Sequence, residues 1–235
     1  MNVDKVKLAK IIDHTLLRPD AIREDVVKVC EEGTRLNFAT VCVNPTWVPL
    51  AFNLLQGSGV KVDTVIGFPF GATAVDAKVF ETKTAIREGA EEVDMVMNIG
   101  ALKSRNYELV KRELELVVDV ARESGVISKV IIEACYLLKE EKTMACELIM
   151  DSGADFVKTS TGFGKGGATV EDVRLLREVV DDKLGVKAAG GIRTYEDALV
   201  MIDAGASRIG SSSGTKIVET ASYGNPHSFL DKTNR

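Results

Sequence analysis

Short β-branched runs alternate with longer amphipathic ones along almost the whole chain. The strand-like runs are "IIDHTL" (11–16), "FATVCV" (38–43), "VKVDTVIGF" (60–68), "EVDMVMN" (92–98), "KVIIEAC" (129–135), "DFVKTS" (155–160), "GVKAAGG" (185–191) and "SRIGSS" (207–212). Apolar residues at helical spacing lie between them, around 21–36, 46–56, 74–89, 105–124, 139–152, 169–182, 194–204 and 213–220, and residues 3–10 form an additional helical pattern at the start. Thr169 with Asp172, and Thr194 ahead of "YEDAL", read as helix starts. Glycines at 89, 153 and 205 mark helix ends. Eight strands alternating with eight helices predict an α/β protein, a (β/α)8 TIM barrel with an extra N-terminal helix. An open doubly wound sheet is the alternative, and the first strand is short and the weakest signal. No linker splits the pattern. Residues 1–220 are therefore expected to form one barrel domain, followed by a polar, turn-rich tail, 221–235, expected to be flexible.

Composition narrows the function. The chain has 235 residues, 45% of them hydrophobic, enough for a barrel core, and a net charge of −5. No dense block of Lys or Arg offers a footprint for nucleic acid. The N-terminal segment has no apolar signal-like stretch, and no run of about 18 apolar residues is present, so a cytoplasmic protein without membrane partners is expected. Four cysteines without C-x-x-C spacing read as reduced thiols. With only two histidines, His14 and His227, no metal site is expected, and no cofactor.

The stretch "DFVKTSTGFGKGGATVEDV" (155–173) carries two possible chemistries. Gly162, Gly164 and Gly167 spell G-x-G-x-x-G between a strand and a helix, as a dinucleotide loop would. Such a loop needs an acidic residue about 20 positions on, at the end of the next strand. Asp181 and Asp182 fall at the end of a helix instead. Lys158, inside the apolar strand run, supports the other reading, a strand that aims an amine at a substrate. Thr159, Ser160 and Thr161 then become hydroxyl contacts, with Gly162 in the loop above them.

Other strands also carry charge where a hydrophobe would suit: Asp13, Asp94, Glu133 and Lys187. Taken singly, a strand carboxylate is usually a rim or salt-bridge residue, and a strand lysine usually snorkels to solvent. Five ionisable groups in apolar strands are costly unless they meet, and a barrel mouth is where they could. Lys158 and Lys187 on adjacent strands would repel. Burial and a neighbouring cation both lower a lysine pKa and free the amine as a nucleophile. Strands seven and eight end in Gly190-Gly191 and in "GSSSGT" (210–215), small residues suited to a phosphate, with Arg193 nearby.

The segments "IDHTLLRPD", "VCVNP", "VIGFPFGA", "EVDMVMNIGALK", "KVIIEACYL", "GADFVKTSTGFGKGGAT", "GVKAAGGIRT" and "RIGSSSG" resemble the deoxyribose-phosphate aldolase family of class I, Schiff-base aldolases, from about residue 10 to about 218. The resemblance implies a (β/α)8 barrel. It implies reversible cleavage of 2-deoxy-D-ribose 5-phosphate to D-glyceraldehyde 3-phosphate and acetaldehyde, in deoxyribonucleoside catabolism. Lys158 matches the Schiff-base lysine, and Lys187 the second lysine that tunes it and moves protons. Asp94 matches the proton donor/acceptor and Asp13 a supporting acid. Gly190, Gly191, Ser211 and Ser212 match the phosphate site. The family implies a homodimer or homotetramer. Two departures stand out. Phe163 occupies a place where some members have lysine, with Lys165 two residues on; and where some members end in a tyrosine that assists proton transfer, this sequence ends in Asn234-Arg235, with Tyr223 as the tail's tyrosine. Glu133 has no assigned role, and Cys42 beside "VNP" reads as core. Competing readings are an aldolase for another sugar phosphate, a phosphate-binding isomerase, a non-catalytic barrel and a nicotinamide oxidoreductase.

Overall fold

The computed structural model describes residues 4–221. The 221–235 tail, with Tyr223 and His227, lies outside the described residues except for Ala221. The strands are β1 (Ile12–Leu16), β2 (Thr40–Val43), β3 (Lys61–Ile66), β4 (Glu92–Val96), β5 (Ile127–Ile131), β6 (Phe156–Lys158), β7 (Gly185–Ala189) and β8 (Arg208–Ser211). They close a barrel in chain order, every neighbouring pair parallel, with β8 back against β1. The weakest expected strand, β1, pairs on both edges. The open-sheet alternative is excluded by that closure.

The helices are α1 (Lys5–Ala9), α2 (Arg23–Leu36), α3 (Val48–Leu55), α4 (Val75–Arg87), α5 (Ile99–Lys103), α6 (Tyr107–Glu123), α7 (Lys139–Ser152), α8 (Val170–Val180), α9 (Tyr195–Asp203) and α10 (Gly214–Thr220). The extra N-terminal helix is present as α1, capped by the Asp4 carboxylate. Both expected starts hold: the Thr169 hydroxyl accepts from Asp172 N, and Thr194 and Asp197 form a reciprocal cap. Helix α5 is an addition to the sequence-based pattern. Asn98 ends the apolar run of β4, and its side-chain oxygen accepts from Ala101 N, which nucleates one short helix before α6. None of the described helices is long and apolar enough to cross a membrane.

Strand alternation sorts the side chains into two interiors. Val41, Val62, Val93, Val130, Val157, Val186 and Ile209 point outward and join the large apolar layer under the helices. Inside the barrel the apolar content is small, Leu17, Cys42 and Val65 with Phe68 against them. Many of the other inward positions are charged, among uncharged ones such as Thr40 and Ile131.

The strands are shorter than the apolar runs that predict them. The run 185–191 leaves the sheet at Ala189 because Gly190 and Gly191 take φ of 87° and 84°, a region that side chains resist. There the β6 loop crosses close by: a Cβ added to Gly167 would stand 2.2 Å from the Gly190 carbonyl oxygen. Two glycines in contact bring the loops after β6 and β7 together at the barrel mouth.

Candidate active site

Lys158 ends β6 and Lys187 lies at the middle of β7, directly paired in register. Both point inward and both are buried. Each donates to the same oxygen, Asp94 Oδ2, at 2.6 Å. Asp94 comes from β4, across the barrel. Its other oxygen accepts from Lys129 Nζ at 2.8 Å.

The group extends downward beneath these residues. Asp13 Oδ2 is 2.5 Å from Lys187 Nζ, and Asp13 Oδ1 accepts from Arg208 Nε at 2.6 Å. Asp63 contacts Lys129 and Lys187, each at 3.2 Å. Glu92 takes Lys129 at 2.8 Å and Arg208 at 2.7 Å. Four carboxylates (Asp13, Asp63, Glu92, Asp94) thus interlock with four cations (Lys129, Lys158, Lys187, Arg208) inside the barrel. Such charges persist in a low-dielectric interior only because each has a counter-charge.

The electrostatics differ from residue to residue. Burial by itself would raise the Asp94 carboxyl, but Lys129, Lys158 and Lys187 outweigh it and hold Asp94 well below the usual carboxylate range. Asp13 is likewise lowered, burial being outweighed by Lys187 and Arg208. For Lys187, burial pulls down, but Asp13, Asp63 and Asp94 together lift it well above an ordinary lysine. Lys187 therefore remains a cation beside Lys158, as its expected tuning role requires. Asp63 departs from its neighbours: burial and then the Asp94 charge push it up.

A cavity of about 340 Å³ opens above this group. Lys158 is the member of the charge cluster that lines it. Gly162, Gly190, Gly191, Ser211 and Ser212 form its wall, with Arg193. Asp94, Lys187 and Asp13 do not line it; Asp94 meets the lining residue Lys158 at 2.6 Å. A hollow of about 500 Å³ beside Pro45, Phe80 and Glu81 is larger, but no such charge cluster converges on it.

Thr159 and Ser160 do not line the cavity, contrary to expectation. The Thr159 hydroxyl is engaged by Ala189, donating to its carbonyl at 3.2 Å and accepting from its amide at 3.1 Å, so it ties β6 to β7. Ser160 is fully buried. The cavity-lining hydroxyl of that segment is Thr161. Ser211 Oγ donates to the Ile192 carbonyl at 2.6 Å and accepts from Ser213 N at 2.9 Å, which shapes the β8 loop against the β7 loop. Lys165 lies over the Tyr136 ring, 5.2 Å from its centre, away from that wall. Phe163 lines the cavity with its edge against Phe68.

Glu133 acquires a role. It follows β5 in a left-handed conformation, φ 48°, and its carboxylate accepts from the Thr161 amide at 3.2 Å and from the Thr161 hydroxyl. It anchors the start of the glycine-rich loop at 162–167. That loop is pinned at its far end by Ala168 N, which donates to the carbonyls of Ala189 and Gly190. The G-x-G-x-x-G stretch is thus a strap packed on the β7 turn.

Asp63, Glu92, Lys129 and Arg208 escaped the sequence reading. Asp63 sits between Val62 and Thr64 and gives the same signal as Asp94. Glu92, Lys129 and Arg208 stand at or near the starts of their runs, where a charge reads as a strand boundary. Each is an even number of residues from an inward neighbour on its strand, and that parity was the available clue.

Cys42, Asp63 and Asp94 bring ligand atoms within 4.8 Å of one another. The ammoniums already bound to both carboxylates oppose a divalent cation there.

Residues 7–220 match the model of a family described as DeoC/LacD family aldolase. The chain is similar to the deoxyribose-phosphate aldolase of Thermococcus gammatolerans, 61% identical over 216 residues that cover 91% of this chain and 96% of that one. It is 60% identical to the enzyme of the same name from Thermococcus kodakarensis over 221 residues, covering 93% and 99%. Among solved structures, a putative deoxyribose-phosphate aldolase from Coccidioides immitis superposes with a TM-score of 0.91 at 43% identity, covering 94% of this chain and 88% of that one. A deoxyribose phosphate aldolase from Aeropyrum pernix, described as a unique tetramer, gives 0.88 at 35% identity, covering 94% and 93%.

Proposed function

The chain belongs to the deoxyribose-phosphate aldolase family, and on that premise we propose that it cleaves 2-deoxy-D-ribose 5-phosphate through an imine on Lys158. The observation that carries this reading is the position of Lys158: it lines the cavity, and its Nζ is hydrogen-bonded to a carboxylate that a second lysine shares.

A retro-aldol cleavage leaves its electron pair on carbon, and that pair needs a sink. A protonated imine supplies one. The neutral Lys158 amine adds to the C1 aldehyde of the open-chain sugar, and water leaves. A base takes the C3 hydroxyl proton, the C2–C3 bond breaks, and its electrons flow into the iminium to give an enamine. D-Glyceraldehyde 3-phosphate departs. The enamine is protonated on carbon, and hydrolysis returns acetaldehyde and the free lysine. Asp94, through a water, is suited to both proton steps, since it lies one hydrogen bond from Lys158. Lys187 keeps Asp94 ionised and ready to accept. Asp13, held by Lys187 and Arg208, fixes Lys187 in place.

The phosphate is assigned to the wall of Gly190, Gly191, Ser211 and Ser212. It sits apart from the reacting carbons and so contributes binding energy that orients them. A role in deoxyribose phosphate catabolism follows from the products. A homodimer or homotetramer is in keeping with the Aeropyrum pernix relative's tetramer.

The test is a coupled assay for acetaldehyde release from 2-deoxyribose 5-phosphate. Wild type is expected to release it, and Lys158→Leu to lose activity by on the order of a thousandfold or more. Equal turnover in the variant would remove Lys158 from the chemistry.

A further inference from the structure

We propose that Asp63 holds the proton that leaves Lys158 while that amine is neutral, an inference that rests on the Schiff-base reading above. Within the ion-paired cluster the charges balance, four carboxylates against four cations; Glu133, buried nearby, is held by the Thr161 amide and hydroxyl and lies outside the chain of ion pairs. A neutral Lys158 leaves one negative charge in excess in a buried group. Excess charge there is costly, so the proton is best kept inside, on the carboxylate that is held least tightly.

Geometry identifies that carboxylate. Asp94 is held by three lysines at 2.6–2.8 Å. Asp13 has Lys187 at 2.5 Å, Arg208 at 2.6 Å and the Thr40 hydroxyl at 2.8 Å. Glu92 has Lys129 and Arg208 at 2.8 and 2.7 Å, with Lys61 more distant at 3.9 Å. Asp63 has only Lys129 and Lys187, both at 3.2 Å. The groups facing it are these two lysines from β5 and β7, Asp94 from β4, Asp13 from β1 and the Cys42 thiol from β2. Two are carboxylates that favour a proton on Asp63, and the thiol, raised well above its usual value by burial and then by Asp63, stays neutral. The upward push on Asp63 from burial and Asp94 agrees with the distances.

A continuous path exists. Lys158 Nζ meets Asp94 Oδ2 at 2.6 Å, that oxygen meets Lys187 Nζ at 2.6 Å, and Lys187 Nζ donates to Asp63 Oδ2 at 3.2 Å. Lys158 gives a proton to Asp94. Asp94 passes a proton to Lys187 as Lys187 gives one to Asp63. Lys187 ends as an ammonium and Asp94 as a carboxylate, so one proton has moved from Lys158 to Asp63 and none has reached solvent. Asp63 touches no substrate. It acts through Lys187, as a proton store.

Replacing Lys158 by a neutral side chain imposes the same charge deficit permanently. Infrared difference spectroscopy at neutral pH is therefore expected to show one protonated carboxyl per chain in Lys158→Met, absent from wild type and removed in the double variant Lys158→Met/Asp63→Asn. If Lys158→Met fails to fold, Lys158→Gln, which retains a hydrogen bond to Asp94, serves in its place. No such band in the single variant overturns the proposal. So does a band that survives in the double variant, or one equally strong in wild type. The measurement uses no turnover, so failure of the aldolase reading would show separately, as a wild type that releases no acetaldehyde.

Discussion

Lys158 and Lys187 stand side by side on β6 and β7 and donate to one oxygen, Asp94 Oδ2, at the same distance of 2.6 Å. A shared acceptor makes the two amines unequal. Lys187 has Asp13 and Asp63 as well and stays charged, whereas among the described residues Asp94 is the one carboxylate paired with Lys158. Asp94→Asn removes the charge that both lysines share. It is expected to lower kcat by roughly 10²–10⁴-fold, with a smaller change in KM, in steady-state cleavage of 2-deoxyribose 5-phosphate. Unchanged kcat would place the base elsewhere.

The junction of Gly167 with Gly190 sets the shape of the proposed phosphate wall. Gly167→Ala would drive a methyl group against the Gly190 carbonyl. The β6 and β7 loops must then separate. Its expected signature is a KM for the phosphorylated sugar raised about tenfold, a cost of about 1.4 kcal/mol. Activity on unphosphorylated 2-deoxyribose should change little. An equal loss on both substrates would show that the junction serves the fold rather than the phosphate.

A second buried pair lies outside the barrel. Lys78 of α4 donates at 2.7 Å to Glu113 of α6, to the Gly71 carbonyl and to the Val96 carbonyl, and Glu113 accepts from Asn98 N at 2.7 Å. The pair staples the loops after β3 and β4. Lys78→Met leaves Glu113 buried and unpaired, and is expected to cost about 3–5 kcal/mol in urea denaturation. Adding Glu113→Leu should recover part of that loss. A cost below about 1 kcal/mol would mean that the pair is dispensable.

The interior charges also set the pH range of stability. Asp13 and Asp94 have folded pKa values below the ordinary 3.8, so their contribution is present above that value and is lost as pH falls through their folded values. Lys129 and Lys187 are raised above the ordinary 10.5, so theirs is complete below that value and is lost as pH rises through their folded values. Asp63 and Glu133, both raised, act in the opposite sense and favour the folded state as they take up a proton. Burial lowers His14 below the ordinary 6.5 and raises the Cys30 and Cys146 thiols from 9.0 to about 12, so stability also declines as pH falls below 6.5 and as it rises above 9.0. Denaturation midpoints are therefore expected to hold between about pH 6.5 and pH 9 and to fall most steeply below about pH 3.8. A steep change between pH 7 and pH 9 would contradict this balance.

The barrel was legible because parallel strands under helices show as apolar runs, and β-branched residues in "FATVCV" or "KVIIEAC" leave little choice of element. Lys158, Lys187, Asp94 and Asp13 were legible as charges inside such runs. Asp63 carried the same signal, yet what it pairs with depends on barrel closure, which brings β3 opposite β5 and β7. Thr159 does not line the cavity, for a related reason. Composition shows a hydroxyl near the lysine but not that Ala189 on the next strand has claimed it. Helix α5 escaped because one Asn cap within "MNIGALK" starts it, too short a segment for periodicity to register.

The proposed chemistry requires a covalent bond between Lys158 and the sugar. Borohydride reduction in the presence of 2-deoxyribose 5-phosphate, followed by peptide mass spectrometry, tests it most directly. The expected result is one reduced adduct, on Lys158, absent from Lys158→Leu. An adduct on Lys129 or Lys187 instead, or none on any lysine while the sugar phosphate demonstrably binds, would contradict it.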